Sequence, residues 1–240
     1  MSLPGFRQLQ LRLDDDTFYK LEAAHGWEEY DGKRQGRVLV DLGNGTVPIM
    51  RTTTVNKKHG EVFGELHKGL IRSIEDGMCE TVRFNSAAAE LYEPGYKKMR
   101  FHSDQGLDLA PGSCICIFSC YSNPDEPNPR RLVVRDKVTG ATSSMPLSQN
   151  SVVAFDTATN ARYVHKIAGS GCQSRWLGLT FRESKTFIDD KGCFVSNGEE
   201  MTLATKEEKK EFCRMKNLEN LSVGFVYPEI NYTLDLVKRF

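Results

Sequence analysis

Residues 82–182 consist almost entirely of short apolar runs that are separated by glycine and proline turns. The runs are rich in β-branched and aromatic residues, which favour strands. They cover residues 87–92, 98–104, 113–121, 132–134, 151–156, 162–167 and 175–182. Many short strands divided by turns such as Pro94-Gly95 and Pro111-Gly112 predict an antiparallel β-sandwich or barrel for this part of the chain.

Helical patterns flank the β-rich part. Within residues 61–78 the apolar side chains recur at spacings of three and four, so they share one face of a helix. Residues 205–217 are heavily charged and also favour a helix. Residues 1–24 begin with a strand-like alternation and continue, after three aspartates, with a short helix. Asn44-Gly45 lies between two apolar runs and predicts a β-hairpin.

Bulk properties restrict the class of protein. The chain has 240 residues, enough for a full core, and its 32 Lys and Arg balance 32 Asp and Glu. No net charge therefore attracts it to nucleic acid or to an anionic membrane. No apolar run reaches the roughly 20 residues of a membrane-spanning helix, and we expect neither a signal nor a transit peptide. The seven cysteines lack a disulfide spacing, so we expect reduced thiols and an intracellular location, in cytoplasm or nucleus.

His102-Ser103-Asp104 is the motif that carries the clearest chemistry. Side chains two apart on a strand share a face, so a strand over 98–104 would present an imidazole beside a carboxylate. His165 lies on a second strand-like run and is a candidate third ligand. Two histidines and one carboxylate suit a non-heme Fe(II) with open coordination positions. The alternative is a core histidine and a surface aspartate that are close only in sequence.

Two arginines of this part are candidates for the same site. Arg175 follows His165 by ten positions, and a guanidinium is well suited to hold a dicarboxylate. Arg100 lies on the His102 side of the alternation and is predicted to point inward. The three cysteines within residues 114–120 lack the four-ligand complement of a zinc site, so we expect them to be buried core residues.

The segment YEPGYKKMRFHSD at residues 92–104, the distal His165 and the segment RWLGLTFR at residues 175–182 resemble the AlkB-type branch of the 2-oxoglutarate/Fe(II) dioxygenases. The resemblance covers about residues 85–182. It implies a double-stranded β-helix (jelly-roll) core in an α+β chain with flanking helices and an N-terminal β-rich extension. It also implies that the H-x-D pair and the distal histidine hold the iron.

The resemblance further implies how the cosubstrate would be held. In that family a tyrosine ahead of the first histidine and two arginines on the last core strand contact 2-oxoglutarate. By position these residues are Tyr92, Arg175 and Arg182, and which arginine makes the contact stays open. The chain departs from the pattern in two places. Glu90 stands where the family has asparagine, and the two arginines are seven positions apart, one more than in the family.

The activity implied by the resemblance is that of an Fe(II)- and 2-oxoglutarate-dependent dioxygenase, an oxidoreductase that consumes O2 and hydroxylates a substrate C–H bond. One candidate reaction is oxidative demethylation of a nucleic-acid base. The alternatives are hydroxylation of a protein side chain or a small metabolite, and a non-catalytic binding module on the same fold. The departure at Glu90 favours the last of these. No membrane partner is expected, and the sequence does not indicate an oligomeric state.

Residues 25–60 combine turns, basic groups and aromatic residues outside the part that resembles the family. This composition suits a substrate lid that contacts a polyanion carrying planar bases. The candidate contact residues are Trp27, Tyr30, Arg34, Arg37, Arg51, Lys57 and Lys58, with Arg100 from the core. The other interpretation is a solvated hairpin extension.

We expect a single catalytic domain. Its parts are a lid or support region over residues 1–80, a jelly-roll core over residues 82–190 and a C-terminal extension over residues 191–240. No internal repeat or low-complexity tract divides the sequence.

Overall fold

A computed structural model describes residues 3–52, 59–169, 171–189, 191, 194–196 and 198–234. The strands are β1 (Phe6–Gln10), β2 (Glu28–Glu29), β3 (Arg34–Val40), β4 (Val47–Ile49), β5 (Glu61–Val62), β6 (Ser86–Tyr92), β7 (Cys114–Tyr121), β8 (Arg131–Asp136), β9 (Thr142–Pro146), β10 (Ser151–Asp156), β11 (Tyr163–Ala168), β12 (Trp176–Arg182), β13 (Thr186–Ile188), β14 (Phe194–Ser196), β15 (Glu199–Leu203) and β16 (Tyr232–Thr233). The helices are α1 (Thr17–Ala23), α2 (Glu65–Met78), α3 (Thr157–Arg162) and α4 (Lys206–Leu221), and a 3-10 turn spans Gly43–Gly45.

Two antiparallel sheets form the core. The major sheet contains the run β10-β7-β12-β6, and the minor sheet contains β11-β8-β9. The backbone of His102 joins the minor sheet through a bridge to His165 of β11. Along the chain the segments change from one sheet to the other as a jelly roll requires. The double-stranded β-helix that the resemblance implies is therefore confirmed by the strand pairing.

The N-terminal strands extend the major sheet at both edges. β1 pairs with β10 at one edge, and β3 pairs with β6 at the other. β2 and β5 in turn pair with β3. The predicted N-terminal β-rich extension is thus present, and it widens the sheet that carries part of the core.

Helices α1 and α2 cover the outer face of the major sheet. Phe18 of α1 and Leu70 and Ile74 of α2 lie in one apolar cluster with the outward side chains of β6 and β12. The opposite face of the same sheet packs toward the minor sheet around a second apolar cluster. Because the centre of the major sheet is buried on both sides, strands β7, β10 and β12 are nearly continuous apolar runs. The predicted helix within residues 61–78 is confirmed as α2.

The predicted strand over residues 98–104 does not form. Among these residues only His102 makes a β-bridge, and the others have no regular secondary structure. Two-residue alternation therefore cannot set the direction of their side chains. Arg100 illustrates the consequence, because it is exposed rather than directed inward as predicted.

The predicted hairpin around Asn44-Gly45 is also wrong. β3 joins the major sheet, whereas β4 pairs with β13 in a third sheet of order β16-β15-β14-β13-β4. The Gly43–Gly45 turn therefore sends the chain from one sheet to another instead of folding it back.

The C-terminal part adds α4, as the charge pattern of residues 205–217 predicts. Thr205 begins this helix as an N-cap, its hydroxyl accepting from the backbone of Glu208, whose carboxylate accepts from the Thr205 N–H. Cys116 and Cys120 are buried, as expected for core residues, whereas Cys114 is only partly buried. In the described part of the chain, no helix has the length and apolarity to cross a membrane.

Two histidines form a buried hydrogen-bonded chain beneath α2. His67 Nδ1 accepts from the Gly64 N–H at 2.9 Å, so its proton lies on Nε2, 3.3 Å from His25 Nε2. His25 Nδ1 then donates to Glu61 Oε2 at 2.9 Å. Arg37 completes the chain with a 2.8 Å ion pair to Glu61. His67 is therefore a buried residue that packs within the fold.

Candidate metal centre

His102, Asp104 and His165 converge between the two sheets. His165 projects inward from β11, and the mutual backbone hydrogen bonds of His102 and His165 bring the H-x-D segment alongside that strand. The Nε2 atoms of the two imidazoles each lie 3.9 Å from Asp104 Oδ1. All candidate ligand atoms lie within 4.8 Å of one another, so this cluster could hold a metal ion.

The imidazole of His102 is oriented by its own backbone. Its Nδ1 lies 3.0 Å from the carbonyl oxygen of Arg100, and a carbonyl can only accept, so Nδ1 carries the proton. The lone pair is then on Nε2, the atom that faces Asp104. A hydrogen bond of this kind sets the tautomer of a metal-ligating histidine.

The two oxygens of the Asp104 carboxylate contact different partners. Arg182 Nε and Nη2 each lie 2.9 Å from Oδ2, while Oδ1 faces the two imidazoles. The fork of the guanidinium thus restrains the carboxylate so that one oxygen is presented to the cluster.

The ionisation state of the cluster suits a divalent cation. Burial would raise the pKa of Asp104, but Arg182 and the two histidines overcome it and hold that pKa well below its usual range. Burial, followed by the neighbouring charge of His102, lowers the pKa of His165 to about 3. Burial also lowers the pKa of His102. Near pH 7 the cluster is therefore one carboxylate with two neutral imidazoles, the form that binds metal.

Asn160 of α3 clamps the backbone of Asp104 from both sides. Its Oδ1 accepts from the Asp104 N–H at 2.8 Å, and its Nδ2 donates to the Asp104 carbonyl at 2.7 Å. Both bonds are buried. The sequence gives no sign of this role, because an asparagine five positions before His165 has no pattern of its own.

Helix α4 supports the same loop from the C-terminal part. Asn220 Oδ1 accepts from the Ser103 N–H at 2.8 Å, and Lys216 Nζ donates to the Ser103 carbonyl at 2.9 Å. Glu219 Oε1 accepts from the Gly106 N–H at 2.8 Å. The charged sequence of α4 is typical of a solvated helix. Three of its side chains nevertheless bind the backbone of Ser103, between two candidate ligands, and of Gly106, just after them.

The structure does not bring the three predicted cosubstrate residues together. Tyr92 is fully buried on the inner face of the major sheet, with its ring 4.8 Å from that of Trp176. Arg182 lies at the cluster, bound to Asp104. Arg175 forms an ion pair with Glu22 of α1 and lies over the Phe18 ring, on the outer side of the sheet. The seven-residue spacing therefore separates the two arginines, as alternation requires.

The predicted lid residues form a support rather than an open surface. Trp27 packs against the outer apolar cluster, and its Nε1 donates to the Glu22 carbonyl. Tyr30 is half-buried, with the Arg34 guanidinium 5.1 Å from its ring centre. Arg51 is buried in an ion pair with Asp108, which corrects the expectation of a substrate-contacting arginine. Lys57 and Lys58 lie outside the described residues.

Comparisons with known proteins give structural likeness only. No family model matches the chain, and no curated protein matches it. Among solved structures, the structure of OsALKBH1 is 15% identical, with 76% of this chain and 98% of that chain covered and a TM-score of 0.49. A prolyl-4-hydroxylase of Pseudomonas putida is 16% identical, with 75% and 92% covered and a TM-score of 0.43. The class is defined by the chain itself: a double-stranded β-helix that encloses a His-Asp-His cluster.

Proposed function

We propose that the chain is an Fe(II)-dependent dioxygenase that uses 2-oxoglutarate and O2 to hydroxylate a substrate C–H bond. The observation that carries the proposal is the convergence of His102 Nε2, His165 Nε2 and Asp104 Oδ1 between the sheets. Two imidazoles and one carboxylate are the donor set typical of non-heme Fe(II) oxygenases, and they leave positions open for other ligands.

The protein residues hold and orient the donor set. Neutral Nε2 atoms and one ionised carboxylate need no proton release when Fe(II) binds near pH 7. Arg182 keeps Oδ2 of Asp104 engaged, which favours attachment through Oδ1 alone. The Phe155 ring, 5.5 Å from that of His165, forms part of an apolar wall that limits access of water. When bound, Fe(II) and the 2-oxo acid supply the oxidising chemistry, with 2-oxoglutarate converted to succinate and CO2.

The inner face of the major sheet also has groups that fit a cosubstrate oxygen. Tyr92 Oη, Trp176 Nε1 and Ser119 Oγ are buried, and none has a hydrogen-bond partner among the described residues. Buried polar groups are nearly always paired, so unpaired ones indicate a ligand or ordered water. These atoms support a polar ligand on the inner face of the major sheet.

A protein side chain or a small metabolite is favoured as substrate over a nucleic-acid base. Two of the cations expected to contact phosphates are paired within the protein: Arg37 with Glu61 and Arg51 with Asp108. The neutral net charge adds no long-range attraction to a polyanion. Oligonucleotide binding measured against salt concentration tests this preference. A steep salt dependence would favour a nucleic acid as the substrate.

The metal assignment is tested by anaerobic Fe(II) titration of His102→Ala, Asp104→Ala and His165→Ala, with exposed His59→Ala as the matched histidine control. We expect greatly weakened binding in the first three variants and wild-type binding in the control. Undiminished affinity in all three would refute the cluster as the iron site. Succinate production from 2-oxoglutarate without added substrate tests the oxygenase, and iron binding without turnover would leave a binding module.

A further inference from the structure

The arginine at the metal cluster has all three of its nitrogens engaged. Arg182 Nε and Nη2 bond to Asp104 Oδ2, and Nη1 donates to the Thr180 carbonyl at 3.2 Å. Its charge is thus paired with a candidate metal ligand, and the side chain is held beside the metal site. Arg175 lies on the outer side with Glu22. The carboxylate at the far end of the 2-oxo acid therefore needs a cation from elsewhere.

Arg34 of the N-terminal extension lies on the inner face. It is opposite Tyr92 of β6, and Tyr92 is opposite Trp176 of β12. Directly opposed residues on neighbouring antiparallel strands project to the same face, so the three side chains form one row. The guanidinium contacts Glu90 Oε1, from Nε at 2.9 Å and from Nη2 at 2.6 Å. Glu90 is two positions before Tyr92 and so shares its face.

The unpaired polar atoms are grouped around this ion pair. Tyr92, Trp176 and Ser119 are 0%, 1% and 0% exposed. Ser119 and Glu90 both lie opposite Gly178, in the row next to that of Tyr92 and Trp176. The indole ring of Trp176 covers Gly178, where a Cβ would overlap it. Three buried hydroxyl or N–H groups beside a guanidinium favour a ligand that accepts hydrogen bonds and carries negative charge.

We infer that Arg34, Tyr92, Trp176 and Ser119 form the subsite for the distal carboxylate of the 2-oxo acid, an inference that rests on the proposed function. A carboxylate has two oxygens that accept several bonds, which matches one guanidinium and three neutral donors. The subsite and the metal ligands lie on the same side of the major sheet, because Trp176 and Arg182 share one face of β12 and Arg182 bonds to Asp104.

Glu90 would compete with the ligand carboxylate for the Arg34 guanidinium. In the described structure it holds the Arg34 guanidinium, so an incoming carboxylate must share or replace it. Removing the negative charge of Glu90 should therefore tighten the binding of a dicarboxylate. Removing the charge of Arg34 should weaken it by about 10- to 100-fold, the range for a charge-assisted hydrogen bond.

Calorimetry on the full chain loaded with Mn(II), without O2, separates these effects from turnover. The two probes are 2-oxoglutarate and 2-oxopentanoate, which has the same chain length but a methyl group in place of the distal carboxylate. The variants are Arg34→Met, Arg34→Lys and Glu90→Gln, with Arg175→Met as the control arginine on the outer side. Affinity for 2-oxopentanoate reports whether each variant keeps its fold and its metal.

Arg34→Met should lose most of the preference for 2-oxoglutarate while 2-oxopentanoate binding stays within about two-fold of wild type. Glu90→Gln should tighten 2-oxoglutarate, and Arg175→Met should change neither probe. An undiminished preference in Arg34→Met would overturn the subsite and leave the proposed function standing. Mn(II) binding by the wild-type protein with no affinity for either oxo acid would instead refute the use of a 2-oxo acid.

Discussion

Asn220→Ala should weaken metal binding although this residue contacts no candidate ligand. The substitution removes the acceptor of the Ser103 N–H, and Ser103 is 0% exposed. An unsatisfied buried N–H costs about 1–3 kcal/mol. If the loop between His102 and Asp104 relaxes to recover this energy, it does so by leaving the geometry that metal requires. The expected loss of metal affinity is then about 5- to 150-fold.

The assay is a Co(II) titration followed by the visible d–d absorption of the bound ion. The matched control is Asn217→Ala, the same change on an exposed position of the same helix. Both variants remove an asparagine side chain from α4, so they share any change in helix propensity. Equal affinities in the two variants would refute the idea that α4 orders the metal-binding loop. A second variant, Lys216→Met, removes the donor to the Ser103 carbonyl and should behave like Asn220→Ala.

Three further outcomes follow from the same contacts. Arg182→Met should lower Fe(II) affinity by roughly 10- to 100-fold in an anaerobic titration, because Asp104 loses the partner that orients it. Arg51→Met should destabilise the fold by about 3–5 kcal/mol in urea unfolding, because buried Asp108 is left without its cation, whereas wild-type stability would contradict a buried pair. Burial, then the charge of the adjacent histidine, lowers the pKa of His67 from 6.5 to about 4, so the unfolded chain binds a proton that the folded chain excludes. The free energy of unfolding should fall as pH drops from about 6.5 to about 4, and an unchanged slope in His67→Gln would disprove this source.

The core was predictable because its strands are buried on both faces. β7, β10 and β12 are runs of apolar residues with turns at their ends, and their predicted bounds agree with the observed ones to within one residue. β9 escaped prediction because the segment TSSMP lies at an edge of the minor sheet, mostly exposed, without an apolar run. Apolar burial leaves a pattern in sequence, and edge pairing does not.

The direction of side chains was predictable only where the segment is paired with a neighbouring strand along its length. Arg175 directly precedes β12 and Arg182 ends it, and the alternation along this segment places them on opposite sides of the sheet. In residues 98–104 the single bridge at His102 gives no alternation, and Arg100 points to solvent. His102 and Asp104 nevertheless converge, because side chains distant in sequence position the loop.

Those distant supports are the part that local patterns could not reveal. Asn160 is 56 positions from Asp104, and Asn220 is 117 positions from Ser103. Each contact is a side chain binding a backbone group, which requires no particular residue type at the backbone partner. The charged pattern of α4 predicts a helix but does not distinguish Lys216, which is mostly buried, from its solvated neighbours.

Because α4 contacts a loop that is distant from it in sequence, it also sets the order in which the metal site can form. During synthesis the H-x-D loop leaves the ribosome well before the helix that fastens it, since 117 positions separate Ser103 from Asn220. In a nascent chain that has folded only the jelly roll, the H-x-D loop therefore lacks its hydrogen bonds to α4. We expect stable metal loading to wait until α4 has docked, so that the centre gains its ion only after almost all of the described chain has folded.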